Sequence, residues 1–395
     1  MRSRRRLFPV TIFSTFLSIL GSSFPGDAAA QSITPLCTPI VSDLKTVVTP
    51  AQRKVAGEKA IPPITDHQNG FAWPDSEFGV FRSEQGYTFF ASDGAHHKAS
   101  NKYGSVTRTL GTLENPLGTA PPIDVIIRRN NDPQINPNYP TYTYLGGGRI
   151  FRVPPEEPGR GNLVNVYHAE INTTTSFYSL LGLAISYDDG LTWTDLGEII
   201  RLNQRYETDL AGFDIGSPRL VASPDGQYFY IYFPDWIANG TTQPTGTNVS
   251  VARVSIAALL EAAFGAQPHA AAFKKYYEGT WSQPGIGGLS TDLNPDADYA
   301  GSPNVAYDSA LERYVMITDD TQTIAYAESP DGLAWTLPVL LGSLGNNSTS
   351  ADYAVPIGEG TDPNVLGERF FVFFTRGSPQ GWPENSVERF TVSCQ

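Results

Sequence analysis

The feature that most constrains this chain is a segment it writes three times. "FDIGSPRLVASPDGQYFYIYFPD" starts at Phe213, "DYAGSPNVAYDSALERYVMITDD" at Asp298 and "DYAVPIGEGTDPNVLGERFFVFFTR" at Asp352. Each runs from an Asp through small residues and a Pro to a short strand, a turn and a strongly apolar aromatic strand. The turns are Pro224-Asp225-Gly226, Ser309 to Glu312 and Leu366-Gly367-Glu368. Asp, Ser and Gly suit tight turns. YFYIYF, RYVMIT and RFFVFF are rich in residues that pack on a pleated surface. The segment is therefore a β-meander, and repeated units of this kind bury their apolar faces on one another.

Two earlier stretches fit the scheme more loosely. "GFAWPDSEFGVFRSEQGYTFFASDG" starts at Gly70 and "GGGRIFRVPPEEPGRGNLVNVYHAE" at Gly146. Together they make five units with a period of roughly fifty residues, the size of a propeller blade. With 12% aromatic residues, 37 Gly and 31 Pro, the chain is expected to be all-β. The expected fold is a five-bladed β-propeller of residues 61–395. One stretch breaks the pattern. "VSIAALLEAAFGAQPHAAAFKKYY" from Val254 spaces Ile256, Leu259, Leu260 and Phe264 at helical intervals and meets Gly265 and Pro268. It predicts a short helical insertion connecting two blades.

The first 30 residues read as a signal peptide. MRSRRR is basic, LFPVTIFSTFLSILG is apolar, and Ala28-Ala29-Ala30 offers a cleavage site. The SRRRLF order resembles a twin-arginine signal but lacks its full consensus, so ordinary secretion to the outside or the periplasm is expected. Residues 31–60 read as an N-terminal linker or closing segment. The net charge is −13, and losing four Arg and one Asp with the signal leaves about −16. That balance excludes a nucleic-acid partner. No later apolar run is long enough to insert in a membrane, and a monomer is expected. The two cysteines, Cys37 and Cys394, stand at the two ends of the mature chain. In an oxidising compartment they can pair, the alternative being two free thiols.

Two further turns carry a motif. "SYDDGLTW" at Ser186 and "SPDGLAW" at Ser329 each follow an apolar strand. They resemble the Asp-box of sialidase-type propellers. There the Asp caps its own turn, the Gly takes a left-handed conformation, and the Trp packs between outer strands of a blade. Asp188, Asp189 and Asp331 are therefore read as structural.

The stretch from Asn248 to Leu341 carries a second resemblance. It contains "NVSVARVSIAALL", "FKKYYEGTWSQP", "YAGSPNVAYDSALERYVMITDD" and "IAYAESPDGLAW". In order and content these look like a family of secreted five-bladed propellers that includes the endo-D-arabinanases of glycoside hydrolase family 183. In architecture the chain is similar to glycoside hydrolase families 43, 32 and 62. The resemblance implies a hydrolase that cleaves a polysaccharide, with an arabinan as one candidate, by means of carboxyl groups in the axial funnel. Two other readings stand beside it. One is a non-catalytic propeller that binds glycans or proteins. The other is a sialidase-like exo-glycosidase, although no arginine triad of that kind is visible.

Glycoside hydrolysis needs two carboxyl groups, one to protonate the leaving oxygen and one to attack or to activate water. In a propeller, residues at the funnel end of each inner strand converge. The candidate acids are Asp66, Asp214, Glu170, Asp298 and Asp352, with Asp66 and Asp214 preferred. Asp66 lies in the polar run TDHQNG, and Asp214 follows the polar loop YETDLAGF. For the Asp residues that head the repeats the alternative is a turn cap, and for Glu170 it is a solvated strand end. Candidate sugar contacts are His67, Trp73, Arg149, Arg219, Trp236, Tyr299 and Tyr353, whose alternatives are packing between blades or an ion pair at the axis. The five His show no zinc-ligand spacing. No cofactor is expected. A calcium ion on the axis is compatible with the chain, but nothing demands it. There is no Gly-x-Ser-x-Gly elbow, P-loop or dinucleotide fingerprint.

Overall fold

The computed structural model describes residues 33–53, 73–92, 105–128, 142, 144–153, 163–172, 177–204, 215–237, 248–294, 302–320, 322–343, 348–381 and 384–395. They fall in one compact unit, Ile33–Gln395. Five antiparallel meanders follow one another along it. A first strand, β1 (Pro39–Val48), precedes them. Blade 1 is β2 (Gly79–Ser83), β3 (Gly86–Ala91), β4 (Ser105–Gly111) and β5 (Ile123–Arg128). Blade 2 is β6 (Tyr144–Gly146), β7 (Ile150–Arg152), β8 (Leu163–Asn172), β9 (Phe177–Ser186) and β10 (Trp193–Ile200). Blade 3 is β11 (Arg219–Ala222), β12 (Tyr228–Pro234), β13 (Val249–Ser255), β14 (Lys274–Tyr277) and β15 (Thr280–Pro284). Blade 4 is β16 (Asn304–Asp308), β17 (Arg313–Asp320), β18 (Thr323–Ser329) and β19 (Val339–Ser343). Blade 5 uses β20 (Ala351–Gly358), β22 (Arg369–Arg376) and β23 (Ser386–Cys394), with β21 (Val365–Leu366) between the first two. The fold is a five-bladed β-propeller, as the repeats predict.

Two details differ from expectation. The helix Ile256–Phe264 lies inside blade 3, between β13 and β14, and does not connect two blades. Ser255 caps its start by accepting the Ala258 N–H, and Gly265 ends it. In the last repeat the short strand Val365–Leu366 is not the partner of RFFVFF. It runs parallel to β16 of blade 4, while β20 pairs with β22.

Blades pack face to face, so their middle strands are covered on both sides and read as continuous apolar runs. In β22, Phe371 and Phe373 pack in the core shared with blade 1. Their neighbours Phe370, Val372 and Phe374 pack in the core shared with blade 4. The period of two sends alternate aromatics to opposite blades.

The ring is closed by its two ends. β1 pairs antiparallel with β23, with Pro39 opposite Cys394, and so forms the outermost strand of blade 5. Cys37 and Cys394 are joined by a disulfide across a sequence separation of 357 residues. The buried Glu328 of blade 4 accepts the backbone N–H groups of Leu36 and Cys37, each at 2.9 Å. The closing segment is thus held to both last blades.

At the axis, side chains from blades 1 to 4 and from the connection between β20 and β22 interlock. They are Glu77, Arg149, Arg219, Asn304 and Asn364. Arg219 pairs with Glu77 at 2.6 Å, with side chains only 1% and 3% exposed, and also donates to Asn304 Oδ1. Arg149 donates to Asn364 Oδ1 at 2.6 Å and to the Asn364 carbonyl at 3.2 Å. Asn364 returns a bond to the Ile150 carbonyl at 3.1 Å. Paired and hydrogen-bonded charges are the form in which buried charge is tolerated.

Glu77→Gln should therefore strand the Arg219 charge and cost about 3–5 kcal/mol. Chemical denaturation against wild type checks this, and a loss below about 1 kcal/mol would mean that the pair does not organise the axis. Unfolded, unreduced protein should show no titratable thiol. The Cys37→Ser, Cys394→Ser double variant should lose up to about 5 kcal/mol, because the denatured chain is released from a very long loop.

Candidate active site

All five blades contribute to one pocket of 260 Å³ at the axial end where the innermost strands begin. Blade 1 supplies Asp75 and Glu77, and blade 2 supplies Tyr144, His168 and Glu170. Ser217, Ser302 and Tyr353 come from blades 3, 4 and 5. A larger hollow of 770 Å³ lies where β2 and β7 end. It draws on fewer blades, and Asp189 in it is tied to Arg152 at 2.8 Å. The axial pocket is the better candidate because residues from all five units face one another there.

The backbone around the pocket is shaped for close approach. In blade 2 the Gly146-Gly147-Gly148 run turns sharply, with φ of +52° at Gly147 and +143° at Gly148. A Cβ on Gly148 would sit 1.7 Å from the Val166 carbonyl oxygen, so no other residue fits. Ser217 and Tyr353 also line the pocket and take positive φ, at +50° and +62°. For residues with a Cβ this conformation is costly and persists only where the surroundings hold it.

Among the described residues three carboxylates line the pocket: Asp75, Glu77 and Glu170. Burial alone would raise the Glu77 pKa, but the charge and hydrogen bonds of Arg219 outweigh it and hold that carboxyl below its usual range. Asp75 is the opposite case. Burial raises its pKa to about 7, with the nearby Glu170 and Asp352 charges adding to the rise. The Tyr353 hydroxyl, donating to Asp75 Oδ1 at 3.0 Å, and Arg53 act against that rise. Tyr144 donates to the Asp75 carbonyl at 3.1 Å and fixes the loop. Glu170 lies near the end of β8, with His168 Nε2 at 3.6 Å on the same face. Behind the pocket, burial also lifts Asp319 to about 7 and raises Asp352.

Of the residues chosen from sequence, Glu170 and Tyr353 line this pocket. Asp352, next to Tyr353 in the chain, is not among the lining residues and accepts a bond from Ser350 Oγ. Three positions need correction. Trp73 is fully buried and packs against Phe78 at 5.1 Å, in the core between blades 1 and 5. Arg149 and Arg219 are buried in the axial interlock and bond to protein groups, so neither presents its charge to a ligand. Trp236 is half-buried just after β12. Asp66, His67, Asp214, Asp298 and Tyr299 lie outside the described residues. Asp75 is the residue the sequence reading passed over. Its signal was present, since it stands four positions before β2 much as Asp214 stands five before β11.

The turn acids behave as capping groups. Asp188 accepts bonds from Thr192 N at 2.8 Å and Thr192 Oγ1 at 2.7 Å. Asp331 accepts from Leu333 N at 2.8 Å and Ala334 N at 2.9 Å. Trp193 and Trp335 are buried beside them. Both turns join the third and outermost strands of a blade, away from the pocket. Among the described residues no group of three His, Cys, Asp or Glu side chains could hold a metal ion. None of the described helices is long and apolar enough to cross a membrane.

No protein-family model matches the sequence, and the search of curated proteins returned no match. Solved structures do match. The catalytic domain of a family 62 α-L-arabinofuranosidase from Coprinopsis cinerea is 10% identical, with a TM-score of 0.50 over 90% of this chain and 97% of that one. A Podospora anserina α-L-arabinofuranosidase in complex with cellotriose is 10% identical over the same shares, with a TM-score of 0.45. A thermostable family 43 glycoside hydrolase is 12% identical over 80% of this chain and 88% of that one, with a TM-score of 0.44.

The likeness to the Coprinopsis cinerea domain is one of fold, in agreement with the propeller built above from the strands.

Asp75 and Asp319 give the fold a pH dependence of known sign. Both stay protonated in the folded protein until pH approaches 7, whereas an unfolded Asp ionises near 4. Between those values the folded state holds more protons. Their contribution to stability is therefore complete below pH 4 and is lost as pH rises to 7. Thermal unfolding of wild type should show the midpoint falling from pH 5 to pH 8, with a smaller fall in Asp319→Asn. Equal slopes for the two proteins would contradict the assignment.

Proposed function

We propose that the protein is a glycoside hydrolase that works in the axial pocket, with Asp75 as proton donor and Glu170 as the second carboxyl group. One observation carries this reading. Two carboxylates from different blades share a single pocket, while the third, Glu77, is neutralised by Arg219. The reaction asks for one acid that keeps its proton and one group that is ready to attack or to activate water. Burial suits Asp75 to the first role, since with a pKa of about 7 it stays protonated in mildly acid solution. With Tyr353 bonded to Oδ1, Oδ2 is the oxygen that would carry the proton towards a glycosidic oxygen. Asp66, Asp214 and Asp298 stay proposed as further acids of the rim, and His67, Tyr299 and Trp236 as sugar contacts.

The substrate class follows from two supports of different kind. The resemblance of residues 248–341 to the family 183 endo-D-arabinanases makes an arabinan the first polymer to try. The shared fold with an α-L-arabinofuranosidase agrees with a saccharide substrate. Secretion is part of the same proposal, supported by the basic and apolar N-terminal segment and by the disulfide.

The test is a panel of polysaccharides, beginning with arabinans, against wild type, Asp75→Asn and Glu170→Gln. Each substitution should lower kcat by about 10²–10⁴-fold with little change in unfolding temperature. Wild-type activity should decline above about pH 7 as Asp75 loses its proton. Tyr353→Phe, by removing a bond that favours the ionised acid, should move that limb to higher pH. Binding of a glycan without cleavage would favour a lectin-like propeller. Cleavage that survives in both acid variants would move the chemistry to the rim acids.

A further inference from the structure

Asp319 lies outside the pocket, buried near the end of β17 in blade 4. Its two oxygens reach different blades. Oδ2 accepts the backbone N–H of Ala354 in blade 5 at 2.7 Å. Oδ1 accepts the backbone N–H of Ser302 in blade 4 at 3.3 Å, and Ser302 Oγ donates to Ser217 Oγ of blade 3 at 2.9 Å. Ser302, Ser217 and Tyr353 are among the residues these three blades contribute to the pocket wall.

The bond to Ala354 falls where the sheet is irregular. The pairing of β20 with β22 slips between Asp352 and Val355, and Tyr353 within the slip has φ +62°. An irregularity of this kind re-aims a side chain. For a bulky residue such a backbone is an outlier that needs outside support. The Asp319 carboxyl group supplies it by accepting, at Oδ2, the amide next to Tyr353. The re-aimed phenol then reaches across to blade 1 and donates to Asp75 Oδ1 at 3.0 Å.

We propose that Asp319 is a positioning residue that holds the Tyr353 bulge and the Ser302–Ser217 wall in place, so that Tyr353 meets Asp75. This rests on the reading of Asp75 as the proton donor. Asp319 itself touches no substrate. An Asn at this position offers one oxygen and an amide that would face a backbone N–H, so one of the two tethers is lost.

The experiment is a double-mutant cycle with Asp319→Asn, Tyr353→Phe and the double variant, read in two ways. On a cleaved polymer each single variant should lower kcat about 10- to 100-fold while KM changes far less. The double variant should be no slower than the slower single, because both act through one bond. Losses that multiply would overturn the proposal, as would a loss confined to KM. The same four proteins are compared by thermal unfolding. If no polymer is cleaved, the functional reading fails and this second cycle still decides. Midpoint losses that fall short of additive support the tether, and strictly additive losses reject it.

Discussion

Everything at the axis depends on one buried charge pair. Glu77 and Arg219 come from blades 1 and 3, and neither could stay ionised there alone. Together with Asn304 they bring three blades to a common centre, and Arg149 with Asn364 adds blade 2 and the connection between β20 and β22. The pairing also sorts the pocket's acids. With Glu77 paired to Arg219, Asp75 and Glu170 are the other carboxylates of the described residues that line the pocket. A structural device thus sets the electrostatic character of the site above it.

The acids near the pocket differ through environment alone. Glu77 has a cation at contact distance and sits below its usual range. Asp75 and Asp319 are buried with hydrogen-bond donors but without such contact, and both sit near 7. Such divergence among neighbouring carboxyl groups is the physical basis for assigning one as acid and another as its partner. The same burial that tunes Asp75 makes the fold less stable as the solution becomes alkaline, so reactivity and stability draw on one feature.

Much of the architecture was legible because it rests on local chemistry repeated five times. Turn residues at fixed places, apolar runs of strand length and cysteines at the chain ends point to blades and to closure. The active-site details rest on contacts between units and were harder to read. Asp75 stands four residues before β2, close to the place of Asp214 before β11, but no polar run of the kind around Asp66 marks it in the sequence. Trp73 looked like a sugar platform because it precedes an inner strand. Its partners, Phe78 and Phe373 among them, include residues of blade 5 that only the closed ring brings near. For Arg149 and Arg219, a sequence cannot show that Asn364 and Glu77 occupy them. The tether from Asp319 to the Tyr353 bulge is equally invisible, since it runs from a side chain to a backbone amide in another blade.

The latch between Cys37 and Cys394 makes the described chain covalently circular. A protease that nicks a turn anywhere between those two residues yields two pieces that are still one molecule. The pieces also share a closing blade through the pairing of β1 with β23. The nicked protein could then keep its blades in register. Reduction of a single bond would be needed before a nicked ring could come apart.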